Sequence, residues 1–119
     1  RLALFVSHNK TFVQRSLLAI FMCTKTFSRE YKFSLGEKMK QESLDLLINV
    51  YKANKSRQET RIGYIEQARK NVEVLRLILR ITNDMNIIGS KKFVQLNVQI
   101  EGLSKQLSAW QKYMAGVNK

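Results

Sequence analysis

Proline is absent from the 119 residues, and glycine occurs only five times. β-Sandwiches and barrels need many tight turns, and this chain has little of the chemistry that makes them. Histidine occurs once, at His8, and cysteine once, at Cys23. A lone cysteine allows no internal disulfide and no Cys-based zinc site, and it fits a reducing, cytoplasmic setting. A di-iron bundle needs Glu-x-x-His on each of two helices, so one histidine rules it out. A Ser-His-Asp or Cys-His device would have to use His8, which reads as an exposed side chain near the start. No glycine-rich phosphate loop is present. The longest unbroken apolar run, Leu17 to Cys23, is seven residues, whereas a membrane-spanning helix needs about 20. Lys10 and Arg15 precede that run as in a signal peptide. However, no small-x-small cleavage pattern follows it, and Thr24 to Phe27 read as a continuing helix.

Acidic residues are also scarce. Nine Asp and Glu face 21 Lys and Arg, for a net charge of +12 and a pI near 10.2. Such a field favours acidic partners and says nothing about fold. The excess is uneven. Residues 1–35 carry six bases against one acid, and residues 89–119 five against one. The middle segments are closer to balance, with five against four over 36–60 and five against three over 61–88.

Apolar residues make up 45% of the chain, enough for one domain with a real core. Their spacing is helical throughout. Phe93, Leu96, Ile100, Leu103, Leu107, Trp110, Met114 and Val117 alternate steps of three and four, a heptad seam that predicts a helix over 91–117 with Ser90 as its cap. A helix over 59–85 carries two stripes, one of Ile65, Ala68, Val72, Leu75 and Leu79, the other of Val74, Ile78, Ile81 and Met85. Ser56 with Glu59 reads as its capping box, and Asn86 as its left-handed stop, with Ile87 and Ile88 folding back. A helix over 35–54 starts at a second capping box, Ser34 with Glu37, and buries Met39, Leu46, Leu47, Val50 and Tyr51. A helix over 10–27 faces Val13, Leu17, Ile20 and Phe27 inward, with Asn9 as a cap. Residues 28–34, 55–58 and 86–90 read as loops. Together these predict a single all-α domain over 1–119, an antiparallel up-down four-helix bundle.

No catalytic or metal constellation emerges, so the chain does not read as an enzyme, and no cofactor is called for. Asp45, close to the apolar face of its helix, reads as a carboxylate that pairs with a nearby Lys or Arg. The arginines carry more. Arg69, Arg76 and Arg80 share one helical face, with Glu73 inside it. The planar guanidinium fork suits phosphate, and the competing role is an ion-pair face. Lys91, Lys92, Lys105 and Lys112 form a second basic group. Lys10, Arg15, Lys25, Arg29 and Lys32 form a third. Trp110 lies in the heptad seam and reads as core rather than as a base-stacking residue. Tyr31 and Phe33, in the first loop, are freer to contact a partner. Helix one is apolar nearly all round, through Leu18, Phe21 and Met22, and Val74, Ile78 and Ile81 add a second stripe on helix three. Surplus apolar surface of this kind predicts an oligomer whose subunits meet through these six residues.

The order of segments carries a resemblance. Phe27, Arg29, Glu30, Tyr31 and Phe33 lead to Leu35, Gly36 and Glu37. Leu46, Leu47, Ile48, Ala53 and Asn54 follow, then the run Leu75 to Arg80, then the seam from Ile100 to Trp110. This is similar to the Avd-like four-helix-bundle family over about residues 12 to 116. That family includes the accessory variability determinant proteins of diversity-generating retroelements and proteins encoded by intervening sequences in 23S ribosomal RNA genes. Ser28 stands where the pattern has proline, and Ser108 and Ala109 where it has glycines. The resemblance implies a non-enzymatic, bacterial or phage-encoded cytoplasmic protein, a pentameric ring with a basic surface. It further implies binding to a reverse transcriptase and to template RNA, with DNA as a second nucleic acid, in support of mutagenic cDNA synthesis. The wider family offers the alternative of a structural or interaction bundle with no retroelement role.

Overall fold

The computed structural model describes residues 2–117, with side chains from 12 to 116. Four long helices dominate. They are α1 (Leu2–Cys23), α3 (Glu37–Lys55), α4 (Gln58–Asp84) and α5 (Ser90–Val117), and a short α2 (Arg29–Tyr31) lies between the first two. Packing is cyclic: α1 touches α3 and α5, and α4 touches α3 and α5. The shared core holds Leu17 and Ile20 from α1, Met39 and Leu46 from α3, five apolar residues of the expected α4 stripe, and the α5 seam from Leu96 to Met114. Trp110 is 2% exposed and belongs to that core.

The helix ends differ from the sequence reading in instructive ways. The first helix starts at Leu2 rather than at an Asn9 cap, running through Ser7, His8 and Asn9. Each of those residues costs a helix only a fraction of a kcal/mol, too little to stop it. The side chains of His8 and Lys10 lie outside the described residues, as does that of Val117. At its other end the helix stops at Cys23, four residues early. A 3₁₀ turn over Thr24–Thr26 follows, and Phe27 is extended and 4% exposed. Thr24 and Thr26 Oγ1 donate back to the carbonyls of Phe21 and Cys23, both at 2.8 Å, closing the helix end.

The expected loop at 28–34 is helical instead. Ser28 begins α2 with φ −62° and ψ 157°, a conformation that proline's ring would also hold. A wider π-type turn over Lys32–Gly36 then feeds directly into α3. Ser34 is therefore inside helical structure and is no cap. Its Oγ donates to the carbonyls of Glu30 and Tyr31. The Ser56–Glu59 capping box is also absent: Ser56 is the extended residue that ends α3, its Oγ donates backward to the Lys52 carbonyl at 2.6 Å, and the connection into α4 is held by Arg61. The Arg61 guanidinium donates to the carbonyls of Ala53 and Ser56 at 2.8 Å each, satisfying the end of α3. At the start of α5 the Phe93 N–H reaches the Gly89 carbonyl at 2.9 Å, so Gly89 takes the cap position expected of Ser90.

The stop after α4 is as expected. Asn86 has φ 58°, its N–H bonds Asn83 and the Ile87 N–H bonds Thr82. That pair of bonds is the Schellman arrangement, and Ile88 folds back to 7% exposure.

On α3 the buried face is shifted. Met39 and Leu46 are inside, but Leu47 is 37% and Tyr51 62% exposed. Their places are taken by Glu42, Ser43 and Ala53. Asn71 of α4 holds Glu42 there. Its Nδ2 donates to Glu42 Oε1 at 3.0 Å, and its Oδ1 accepts from Asn49 Nδ2 at 2.8 Å. Ser43 Oγ donates to the Met39 carbonyl at 2.9 Å. Small and hydrogen-bonded polar residues let α3 and α4 approach closely, and the bulky pair is left outside.

Candidate nucleic-acid interface

The three arginines lie on the flank of α4 that meets α5, and their surroundings differ. Arg76 is clamped. Its Nε and Nη2 donate to both carboxylate oxygens of Glu101 at 2.7 and 3.1 Å, and its Nη1 pairs with Glu73. The fork geometry ties α4 to α5. It also holds the guanidinium charged beyond its ordinary range, through the Glu101 and then the Glu73 hydrogen bonds. The reciprocal effect lowers the Glu101 carboxyl. Arg69 donates to Gln111 across the same seam. Arg80 is exposed and makes no hydrogen bond or ion pair among the described residues. Of the two arginines within its reach, Glu73 thus pairs with Arg76, and Arg69 is left to Gln111.

On α5, Lys91, Lys105 and Lys112 are exposed and separated by multiples of seven, so they share the outer face. Lys105 is close enough to Glu101 to help lower its carboxyl. Arg69, Arg80, Lys91, Lys105 and Lys112 are therefore exposed basic residues of the expected set on α4 and α5, with Lys70 exposed on α4 as well and Glu73 and Glu101 partly exposed on the same helices. The sequence alone passed over Lys70 because it lies outside the arginine stripe. Lys92 departs from the group. It lines a shallow depression with Ala19 of α1 and lies within electrostatic reach of Cys23.

The apolar residues divide as well. Leu18 is 61% exposed and Met22 also lies outside. Phe21 is half-buried beneath the Lys40 ammonium, 5.7 Å from its ring centroid. Ile78 is buried in the subunit's own core, which removes it from the expected interface. Val74 and Ile81 are half-buried. The larger exposed set belongs to α3, with Leu44, Leu47, Ile48 and Tyr51 along one side. Beside it lies an apolar cleft of about 500 Å³ between α1, α3 and α5, lined by Val13, Leu47, Tyr51, Leu107 and Trp110 among others.

Among the described residues, no three His, Cys, Asp or Glu side chains come together as metal ligands. Asp45 accepts a hydrogen bond from Gln41 at 2.9 Å rather than pairing with a base. Cys23 is buried against Met39 Sδ at 3.6 Å, and burial pushes its thiol up to about 11, against the pull of Lys92. A thiol so protonated is a packing group. No helix among the described residues is long and apolar enough to cross a membrane.

Comparison with known proteins gives one result that bears on this surface. The family model described as bAvd-like matches residues 5–114. Neither the curated proteins nor the solved structures give a match. The match spans most of the chain, and the chain belongs to the bAvd-like family.

Proposed function

We propose that this member of the bAvd-like family is a non-enzymatic accessory subunit of a diversity-generating retroelement. It binds a reverse transcriptase and template RNA, and also DNA, in support of mutagenic cDNA synthesis. The observation that carries the reading is the family match over residues 5–114. The net charge of +12 and the basic α4–α5 surface support it. The fold reading that goes with it is an up-down antiparallel bundle. Cross-helix pairs fit that course, one number rising as the other falls: Arg61 with Ala53 and Asn71 with Glu42 between α4 and α3, and Arg69 with Gln111 and Arg76 with Glu101 between α4 and α5. The protein acts in the cytoplasm as a homo-oligomer, expected to be a pentamer. Its subunits meet through Leu18, Met22 and the exposed α3 stripe. A ring multiplies the charge of one subunit over a continuous surface. Co-expression with the reverse transcriptase encoded beside it tests the reading. A complex surviving gel filtration at moderate salt is the expected outcome. Absence of a neighbouring reverse transcriptase, or of any complex with it, contradicts it.

A further inference from the structure

The corner between α1 and α3 is a rigid piece of chain with one large aromatic left outside it. Phe27 is buried, and Gly36 is buried against it. A Cβ at Gly36 would sit 3.4 Å from the Phe27 ring and from the Tyr31 carbonyl. The Ser28 carbonyl accepts from the N–H groups of both Tyr31 and Lys32, at 3.1 and 2.9 Å, and the two threonines close the preceding turn. Against this frame Phe33 is 69% exposed, the highest value among the exposed large hydrophobic side chains. One exposed apolar side chain is ordinary on its own. Its neighbours in the chain make it less so.

Arg29 precedes Phe33 by four positions, so the two share a face of the turn, and Lys32 is adjacent to it. Lys25 lies on the turn before. None of Lys25, Arg29 and Lys32 makes an ion pair among the described residues. The acids at this corner and on the first turns of α3 are used elsewhere, Glu37 by Lys40 and Glu42 by Lys38. Glu30 is the one exposed acid on the same turn.

An exposed aromatic face on a fixed backbone, flanked by unpaired cations, has the chemistry of a single-strand grip. The ring stacks on an unpaired base while the cations take the phosphates on either side. We propose that the Lys25–Gly36 corner binds single-stranded nucleic acid, with Phe33 stacking on a base and Lys25, Arg29 and Lys32 contacting the backbone. This rests on the nucleic-acid reading of the protein but adds a second site, apart from the α4–α5 face, that prefers single strands to duplex.

The test uses the full chain, fluorescence anisotropy, and three labelled probes: a 15-mer of deoxythymidine, the same length of abasic backbone, and a duplex. Wild type is expected to bind the thymidine strand more tightly than the abasic one at equal salt. Phe33→Leu is expected to weaken the thymidine strand about 5- to 100-fold, the range that base stacking on an aromatic spans. It should leave the salt slope and the duplex affinity unchanged, because no charge is lost. Phe33→Trp is expected to restore affinity and to show fluorescence quenching on binding. Equal affinity of wild type for thymidine and abasic strands overturns the inference. So does an unchanged affinity of Phe33→Leu, or a loss that falls equally on the duplex. A variant that breaks the oligomer while keeping affinity also overturns it, since Phe33 is then a subunit contact. If wild type binds none of the three probes, the nucleic-acid reading itself fails. If it binds all three with a steep salt slope and Phe33→Leu changes nothing, only the corner site fails.

Discussion

Arg76 and Arg80 lie one turn apart on α4, and the sequence gives them equal standing. Their partners separate them. Arg76 has both oxygens of Glu101 and one of Glu73, while Arg80 faces solvent with no partner among the described residues. Arg80→Gln is therefore expected to lower RNA affinity roughly fivefold and to reduce the salt slope by about one, with melting temperature unchanged. Arg76→Gln should do the opposite, costing about 1 kcal/mol of stability, or roughly 4 °C, with a smaller effect on RNA. The cost is modest because Glu101 is 45% exposed and water screens the pair. Electrophoretic shifts and thermal melts on the two single variants check both. Trp110 is 2% exposed within the α5 seam, so Trp110→Ala is expected to cost about 3–5 kcal/mol. A variant that melts like wild type but fails to bind RNA would mean that the tryptophan works at a surface.

The strength of a sequence signal at the level of elements depended on how one-sided each helix is. The seam of α5 was legible because its apolar residues occupy one stripe and its outer face is mostly charged or small. Helices with two apolar stripes were harder. Periodicity shows that Leu47 and Tyr51 share a face, but not that Asn71 would hold Glu42 inward or that Ser43 would satisfy its hydroxyl on the Met39 carbonyl of its own helix. Ile78 falls at the border between the two α4 stripes, where periodicity alone does not place it, and the core takes it. Caps failed at 34 and 56 because each serine found a carbonyl one turn back, a local alternative open to any serine. The glycines expected before Trp110 are absent, and the close approach of α1 and α5 is at Gly102, where a Cβ would lie 2.7 Å from Phe12 Cζ. The stop at Asn86 was legible because few residues tolerate positive φ. Replacing Asn86 with valine is expected to cost about 1–2 kcal/mol, and replacing it with glycine close to nothing. Chemical denaturation distinguishes them, and equal losses would show that the Asn86 side chain, not its backbone, ends α4.

The whole molecule exposes more apolar surface than one subunit needs. Leu18, Met22, Leu44, Leu47, Ile48 and Tyr51 all stand outside the core, on α1 and its neighbour α3. Light scattering at micromolar concentration is expected to give the mass of an oligomer, and Leu47→Glu to reduce it to one subunit. A clean monomer mass for wild type would remove the idea. The candidate basic site was legible as a list of residues but not as a surface. Only the packed helices set Arg76 aside as a strut, leave Arg80 without a partner among the described residues, and bring Lys92 into a depression with Ala19 of α1. The account as a whole stands on phosphate neutralisation by the free members of that list. The most direct test is the affinity of the wild-type protein for single-stranded RNA as monovalent salt is raised. The account predicts a straight line on logarithmic axes with a slope steeper than about −3, corresponding to several phosphates neutralised at roughly −0.7 each. A flat line, or no binding at low salt, would contradict it.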